Sequence, residues 1–282
     1  DTVIVDEAGK ANLSETLAAI SIADKIILVG DHKQLPPYMD RERIKYFIGS
    51  KENSFSEEKV TKAISTSLFE YLQEILPESH KVLLNIQHRM HPNISRFVSE
   101  TFYDGRIKDG PNTKEKALRL NPPYDKEVIF FDTSKDMYPF ESEAGTSYCN
   151  KLESQIIVKE VLPVLKEDNR VESKDIAIVV PYLAQLELII SELSKKNLDD
   201  IEVATLDSYQ GREVRIMIFS FTRSSKNNNV GFLDDARRLN VAFSRPETKL
   251  ILVGNSETLT CPRNHSDSYY TKLFERLVLH AK

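Results

Sequence analysis

The sequence predicts an α/β protein with parallel sheets covered by helices, and three observations predict it. Short apolar runs rich in Ile and Val recur along the chain. Most are continuous instead of alternating, as expected of strands buried on both faces. Helix-period patterns separate them, and that β–α alternation is the pattern of doubly wound parallel sheets.

Taken in order, Thr2–Val5 and Lys25–Val29 read as the first two strands, each an apolar run that ends in polar residues. The stretch from Pro36 to Thr66 is highly charged, with Arg41-Glu42-Arg43 and Glu57-Glu58-Lys59, and reads as a surface insertion. A helical pattern covers Ser67–Leu76 and stops at Pro77, where the residue before a proline is pushed out of the helical region. Lys81–Ile86 then reads as a strand and Asn93–Phe102 as a helix. Residues 104–125 contain Gly105, Gly110, Pro111, Pro122 and Pro123 and read as a loop. Beyond it come strands at Val128–Phe131, Ile176–Val180, Ile201–Thr205, Val214–Phe221 and Lys249–Val253. Helical patterns lie at Lys151–Lys166, Leu183–Lys195, Asp234–Ser244 and Ser268–Leu279. A domain boundary is expected near Pro77–Lys81, dividing the chain into 1–80 and 81–282.

Composition bounds the function. In 282 residues, 40% are hydrophobic and 29% charged, which excludes collagen-like, mucin-like and wholly disordered chains. Two cysteines, Cys149 and Cys261, cannot build a disulfide framework, so a reducing, intracellular compartment is expected, cytoplasmic or nuclear. No apolar run reaches the ~18 residues of a membrane span. The formal charge of −5 gives no overall attraction to a polyanion, but a basic channel can sit on an acidic body. The site must come from local constellations.

The first strand closes on Asp6-Glu7, and the second is followed by Gly30-Asp31-His32-Lys33-Gln34. Ligands of α/β sheets bind at the carboxyl ends of strands, so these side chains share one rim. There Asp6 can hold Mg²⁺ through water, Glu7 can polarise an attacking water, and the Gln34 amide can both donate to a phosphate and accept from water. A solvated carboxylate pair is the plainer alternative for Asp6-Glu7 taken alone. Arg238 and Arg245 are seven positions apart, two helical turns, which places both on one helix face. Arg89 follows a strand, and separate arginines that converge on one crevice suit phosphoryl transfer.

Together these stretches resemble a family. Val5-Asp6-Glu7-Ala8 and Gly30 to Pro37 resemble motifs II and III of superfamily 1 helicases. Gln87-His88-Arg89-Met90-His91-Pro92 is similar to the signature of the nonsense-mediated-decay and senataxin-like branch. Pro181-Tyr182 resembles motif IV, Ala204 to Glu213 motif V, and Arg237 to Arg245 motif VI, in an order that covers nearly the whole chain. The resemblance implies a RecA-like P-loop NTPase architecture, with 1–80 as part of the first lobe and 81–282 as a complete second lobe. It implies an ATP- and Mg²⁺-dependent helicase or translocase on single-stranded RNA or DNA, moving 5′→3′, with ATP between the lobes.

By the same resemblance Arg89 and Arg245 are arginine fingers and Gln34 couples the phosphate to closure. Glu213 bonds the ribose and Arg212 fixes that loop. Thr205, Asp207, Ser208 and Gln210 line the boundary with nucleic acid, and Pro181-Tyr182 lies near the bound strand. His88 stands where the family often has Tyr against adenine, so base selectivity is expected to be weaker.

No Gly-x-x-x-x-Gly-Lys-[Ser/Thr] occurs anywhere in the chain. The expectation is a segment whose phosphate loop lies upstream in a longer parent, inactive in hydrolysis alone, and a monomer. A non-catalytic nucleic-acid-binding or scaffold module with a degenerate fold is the alternative. A nuclease has only the passing Glu-x-Lys form of Glu57-Glu58-Lys59 behind it.

Overall fold

The computed structural model describes residues 1–38, 65–227 and 229–260 together with positions 56, 61 and 276. Most of the charged insertion 38–66, Cys261 and, apart from Arg276, the expected helix Ser268–Leu279 lie outside the described residues. The chain forms two compact units, Asp1–Leu84 and Asn85–Lys282.

In the first unit, strands β1 (Thr2–Val5) and β2 (Lys25–Leu28) pair in parallel, with Thr2 opposite Lys25 and Val5 opposite Leu28. The crossover between them is a helix, Leu13–Ile20, which the apolar runs alone do not reveal. Its start is a capping box: the Asn12 side chain accepts the Glu15 N–H at 2.9 Å, and the Glu15 carboxylate accepts the Asn12 N–H at 3.0 Å. A second helix, Leu68–Ile75, is capped by the Ser67 hydroxyl, which accepts the Glu70 N–H at 3.0 Å.

The second unit opens with two short pairs of strands. Strands β3 (Ile86–Gln87) and β4 (Lys108–Asp109) run parallel. Strands β6 (Ser142–Ala144) and β7 (Ser147–Cys149) form a hairpin. The body is a five-stranded parallel sheet of β5 (Val128–Asp132), β8 (Ile176–Val180), β9 (Glu202–Thr205), β10 (Val214–Ser220) and β11 (Pro246–Gly254), in the order β5-β11-β10-β8-β9. Alternate side chains fill two cores. Met217 and Phe219 of β10 pack with Phe97 and Phe243, from helices Pro92–Phe102 and Ala236–Phe243, on one face. Ile216 and Ile218 pack with Leu162, Leu165 and Ile189 on the other. Helical cover on both faces is why these strands read as unbroken apolar runs. Among the described residues no helix is long and apolar enough to cross a membrane.

Several elements differ from the sequence expectation: β4 and a 3₁₀ turn at Thr113–Lys116 lie inside the expected loop 104–125, and β11 begins at Pro246 instead of Lys249. Lys81–Ile86 is not a strand: among the described residues only Ile86–Gln87 pairs, and Val82 and Leu84 stay exposed, because a strand pattern with no neighbour among them has nothing to satisfy its backbone. The helical run Lys151–Lys166 is broken into Lys151–Ile156, a π-helical turn at Ile157–Val161, and Leu162–Glu167. Pro163 has no N–H to give the preceding turn, which explains a widened turn just before it. The helix expected at Asp234–Ser244 is a short 3₁₀ turn at Gly231–Asp234 followed by Ala236–Phe243.

Candidate nucleotide and nucleic-acid sites

In the first unit the tips of β1 and β2 lie side by side. The Val29 N–H donates to Val5 at 2.8 Å and the Ala8 N–H to Val29 at 2.9 Å, so the loops that follow leave from one rim. Gly9 and Gly30 let them touch: a Cβ on Gly30 would come within 2.7 Å of the Gly9 nitrogen, and one on Gly9 within 2.8 Å of the Asp31 carbonyl oxygen. Gly30 thus serves close approach and not a left-handed turn. Asp6 and Glu7 are both exposed at this rim. Glu7 adopts φ 52, a left-handed conformation that is uncommon outside glycine and that concentrates at functional sites. The Asp6 carboxylate accepts the Glu7 N–H at 2.8 Å. Asp31 organises the second loop, accepting the Lys33 N–H at 2.9 Å and the Gln34 side-chain amide at 2.9 Å.

These donors suit Mg²⁺. The ion takes one or two protein carboxylates and keeps water and phosphate oxygens for the rest of its shell. Asp6 offers such a hard oxygen, and no third protein ligand is required.

In the second unit the loop after β3 is shaped by Gln87. Its side-chain oxygen accepts the N–H groups of Arg89 at 2.9 Å and Met90 at 2.7 Å, and its nitrogen donates to the Met90 carbonyl at 2.9 Å and to Asp109 at 2.8 Å. Arg89 is thereby aimed at the edge where β10 and β11 begin. One of its terminal nitrogens pairs with Glu213 and the other donates to the Ser244 carbonyl at 3.0 Å. The bond from Arg89 holds the Glu213 carboxyl below its usual range against the opposing effect of burial, and the charges of Arg89, Arg245 and Lys116 add to the lowering. Arg89 and Glu213 thus form a pair, and the Val214 N–H donates to the Arg245 carbonyl at 3.3 Å, which sets Arg245 on the neighbouring strand start.

Arg245 does not share a helix face with Arg238. The helix ends at Phe243 because side chains take up its last carbonyls: the Ser244 hydroxyl donates to Asn240 at 2.7 Å and Arg245 Nε to Val241 at 2.9 Å. Pro246 then starts β11. Arg238, inside the helix, lies instead 3.9 Å from both Asp207 and Asp235.

The remaining expected residues are spread more widely. Arg212 pairs with Glu202 and lies 5.0 Å from the Tyr209 ring centre, apart from the Arg89 pair. The His88 ring packs on Gly110, where an added Cβ would approach it to 2.3 Å. Thr205 and Ser208 bond each other, hydroxyl to hydroxyl at 3.0 Å, and Ser208 closes back on the Thr205 carbonyl at 2.9 Å. The Gln210 side-chain oxygen is buried without a hydrogen-bond partner among the described residues. Pro181 is buried, and Tyr182 starts helix Leu183–Ser194 with its ring edge-on to Tyr148 at 5.4 Å. Asp31 lies on the rim as expected and proves to organise its loop, while Gln87 has a loop-shaping role whose signal is a side-chain amide two positions before an arginine.

Comparison with known proteins gives a consistent picture. Two AAA domain family models match the chain, at residues 64–257 and 1–42. DNA polymerase alpha-associated DNA helicase A of Schizosaccharomyces pombe is 35% identical over 274 residues, covering 92% of this chain and 38% of that protein. ATP-dependent helicase upf1 of the same yeast is 32% identical over 294 residues, covering 100% of the chain and 28% of the relative. Helicase sen1, also from that yeast, is 34% identical over 267 residues, covering 92% and 15%. The chain spans less than two fifths of the length of each.

Proposed function

Because the chain belongs to the AAA-domain superfamily 1 helicases of the nonsense-mediated-decay and senataxin-like branch, we propose that it is part of an ATP-dependent motor that moves 5′→3′ on single-stranded RNA or DNA. The observation that carries this reading is the Arg89–Glu213 pair where β10 begins, with the Arg245 backbone beside it, its carbonyl accepting the Val214 N–H at 3.3 Å. Two arginines at the start of neighbouring strands can serve as a receptor for phosphate charge. Arg89 and Arg245 neutralise charge that develops on the γ-phosphate. Glu213 and Arg212 serve the ribose side, and His88 the base. In the first unit Asp6 holds the cation, Glu7 orients and polarises water, and Gln34 reports the terminal phosphate. Mg²⁺, when bound, offsets negative charge on the triphosphate.

Thr205, Asp207, Ser208 and Gln210 are assigned to the nucleic-acid boundary, and Pro181-Tyr182 to a bound strand whose bases stack on the phenol ring. Residues 1–80 and 81–282 are assigned to the two RecA-like lobes of a monomeric intracellular enzyme. The 282 residues contain no phosphate-loop motif, so the chain by itself is expected to hydrolyse ATP slowly or not at all.

The deciding experiment is an ATPase assay of the natural full-length product, with RNA and DNA oligonucleotides offered separately. Stimulated turnover is expected with one or both. Single-strand binding with no nucleotide binding at all would replace the motor with a scaffold.

A further inference from the structure

Glu153 is a carboxylate that none of these roles uses. It lies in the helix Lys151–Ile156 and is wholly buried. One of its oxygens accepts the Ser220 hydroxyl at 2.6 Å and the Thr222 N–H at 2.8 Å; the other has no hydrogen-bond partner among the described residues. Around it the Gln185 amide donates to Ser220 at 3.0 Å and accepts the Asn150 N–H at 2.7 Å. The Asn150 side chain donates to Pro139 at 3.0 Å and Thr222 at 3.3 Å. This network grips Thr222 at both its N–H and its carbonyl. Thr222 needs the grip, because its φ of 67 is left-handed, a conformation a β-branched residue keeps only when its surroundings impose it.

The turn held in this way delivers Arg223. Its guanidinium is buried, pairs with Glu141 at 3.1 Å, donates to the Tyr182 hydroxyl at 3.3 Å and lies 4.2 Å from the Tyr148 ring centre. Gly231 lets backbone pass against it, since a Cβ there would come within 2.1 Å of the guanidinium. The chain of contacts runs from Glu153 through Thr222 and Arg223 to Tyr182.

We infer that Glu153 is a positioning residue: it clamps the strained Thr222 turn so that Arg223 fixes the phenol ring of Tyr182 for stacking on a single-stranded base. The stacking half rests on the function proposed above; the clamp does not. A hydrocarbon side chain of the same volume would pack this site at less cost, because a buried carboxyl must be desolvated. What hydrocarbon cannot do is accept the Thr222 N–H of a left-handed turn and, with it, the Ser220 hydroxyl at the end of β10.

The test uses the 282-residue chain with fluorotyrosine incorporated, the Tyr182 fluorine signal being assigned through Tyr182→Phe. Glu153→Met keeps the volume and removes the acceptor. The Tyr182 signal is expected to shift, and affinity for a labelled oligothymidine or oligouridine to fall about tenfold, the scale of one lost base stack. Glu153→Gln, whose amide oxygen can accept the same two donors, is expected to restore both. A folded Glu153→Met protein with the Tyr182 signal unmoved overturns the inference. Should that variant not fold, Ser220→Ala takes its place, with the same shift expected and the same unmoved signal decisive against it. If the signal moves but Tyr182→Ala binds the oligonucleotide as well as the parent does, the clamp stands and the stacking role falls.

Discussion

Arg89 and Glu213, 124 positions apart in the chain, meet in an ion pair, and the same guanidinium reaches the Ser244 carbonyl next to Arg245. The pairing gives the arginine a fixed direction. In the full-length product, Arg245→Ala or Arg89→Ala is expected to lower nucleic-acid-stimulated ATP hydrolysis on the order of 10³-fold or more, the scale of finger removal. A steady-state phosphate-release assay checks it, and near-parental turnover would take that arginine out of the mechanism.

Arg89→Lys should be nearly as damaging. A lysine is a point charge on a flexible stem and cannot serve Glu213 and the Ser244 carbonyl from two ends of one plane. Turnover is expected to stay within about tenfold of the alanine variant. Activity close to the parent would show that charge alone suffices.

Gln87→Ala strips the acceptor from two backbone N–H groups in the Arg89 loop. The expected loss is about 1–3 kcal/mol in a denaturant melt of the chain, the cost of unsatisfied partners. Hydrolysis in the full-length product should fall as well, although Arg89 itself remains.

Stability should carry a pH signature from Glu153. Burial raises its carboxyl to about 8 in the fold, against 4.5 as the ordinary value. Between those values the folded chain holds a proton that the unfolded chain has released, so stability from this group declines as pH rises from 4.5 and levels off above 8. Thermal melts of Glu153→Gln and the parent should diverge across that window, with the variant gaining. A gap that is constant in pH would mean the carboxyl titrates normally.

Single-strand binding by the chain should weaken steeply with added salt, because phosphate contacts release counterions. An anisotropy titration at several salt concentrations measures the slope. A flat profile would leave the binding to stacking alone.

The fold was legible where burial is uniform. Ile176–Val180, buried throughout, begins and ends where its Ile and Val run does. Phe243, in contact with Phe97, Phe102, Phe219 and Phe221, belongs to a core that covers one face of the sheet, as the continuous apolar strand runs implied. Its replacement by alanine should cost about 3–5 kcal/mol. Elements decided by contact with something else were not legible. Lys81–Ile86 looks like a strand, yet among the described residues only Ile86–Gln87 finds a neighbour, and Leu13–Ile20 is announced by its Asn12–Glu15 cap. The same division runs through the site. Asp6, Glu7, Asp31 and Gln34 fall together because parallel strands end together. The convergence of Arg89 on Glu213 and the Glu153 network are long-range events that local spacing does not record, and the periodicity that joined Arg238 to Arg245 failed where capping ended the helix.

Strand β10 has Glu213 just before its first residue and the left-handed Thr222 two past its last, with eight residues between, most of them buried and Ile216–Phe219 paired to strands on both sides. Such a segment is roughly 20 Å of stiff rod that can slide or tilt but cannot lengthen. Movement imposed on Glu213 is therefore expected to reach the Arg223 end, where the guanidinium meets Tyr182, less whatever the irregular register at Val214 to Ile216 takes up.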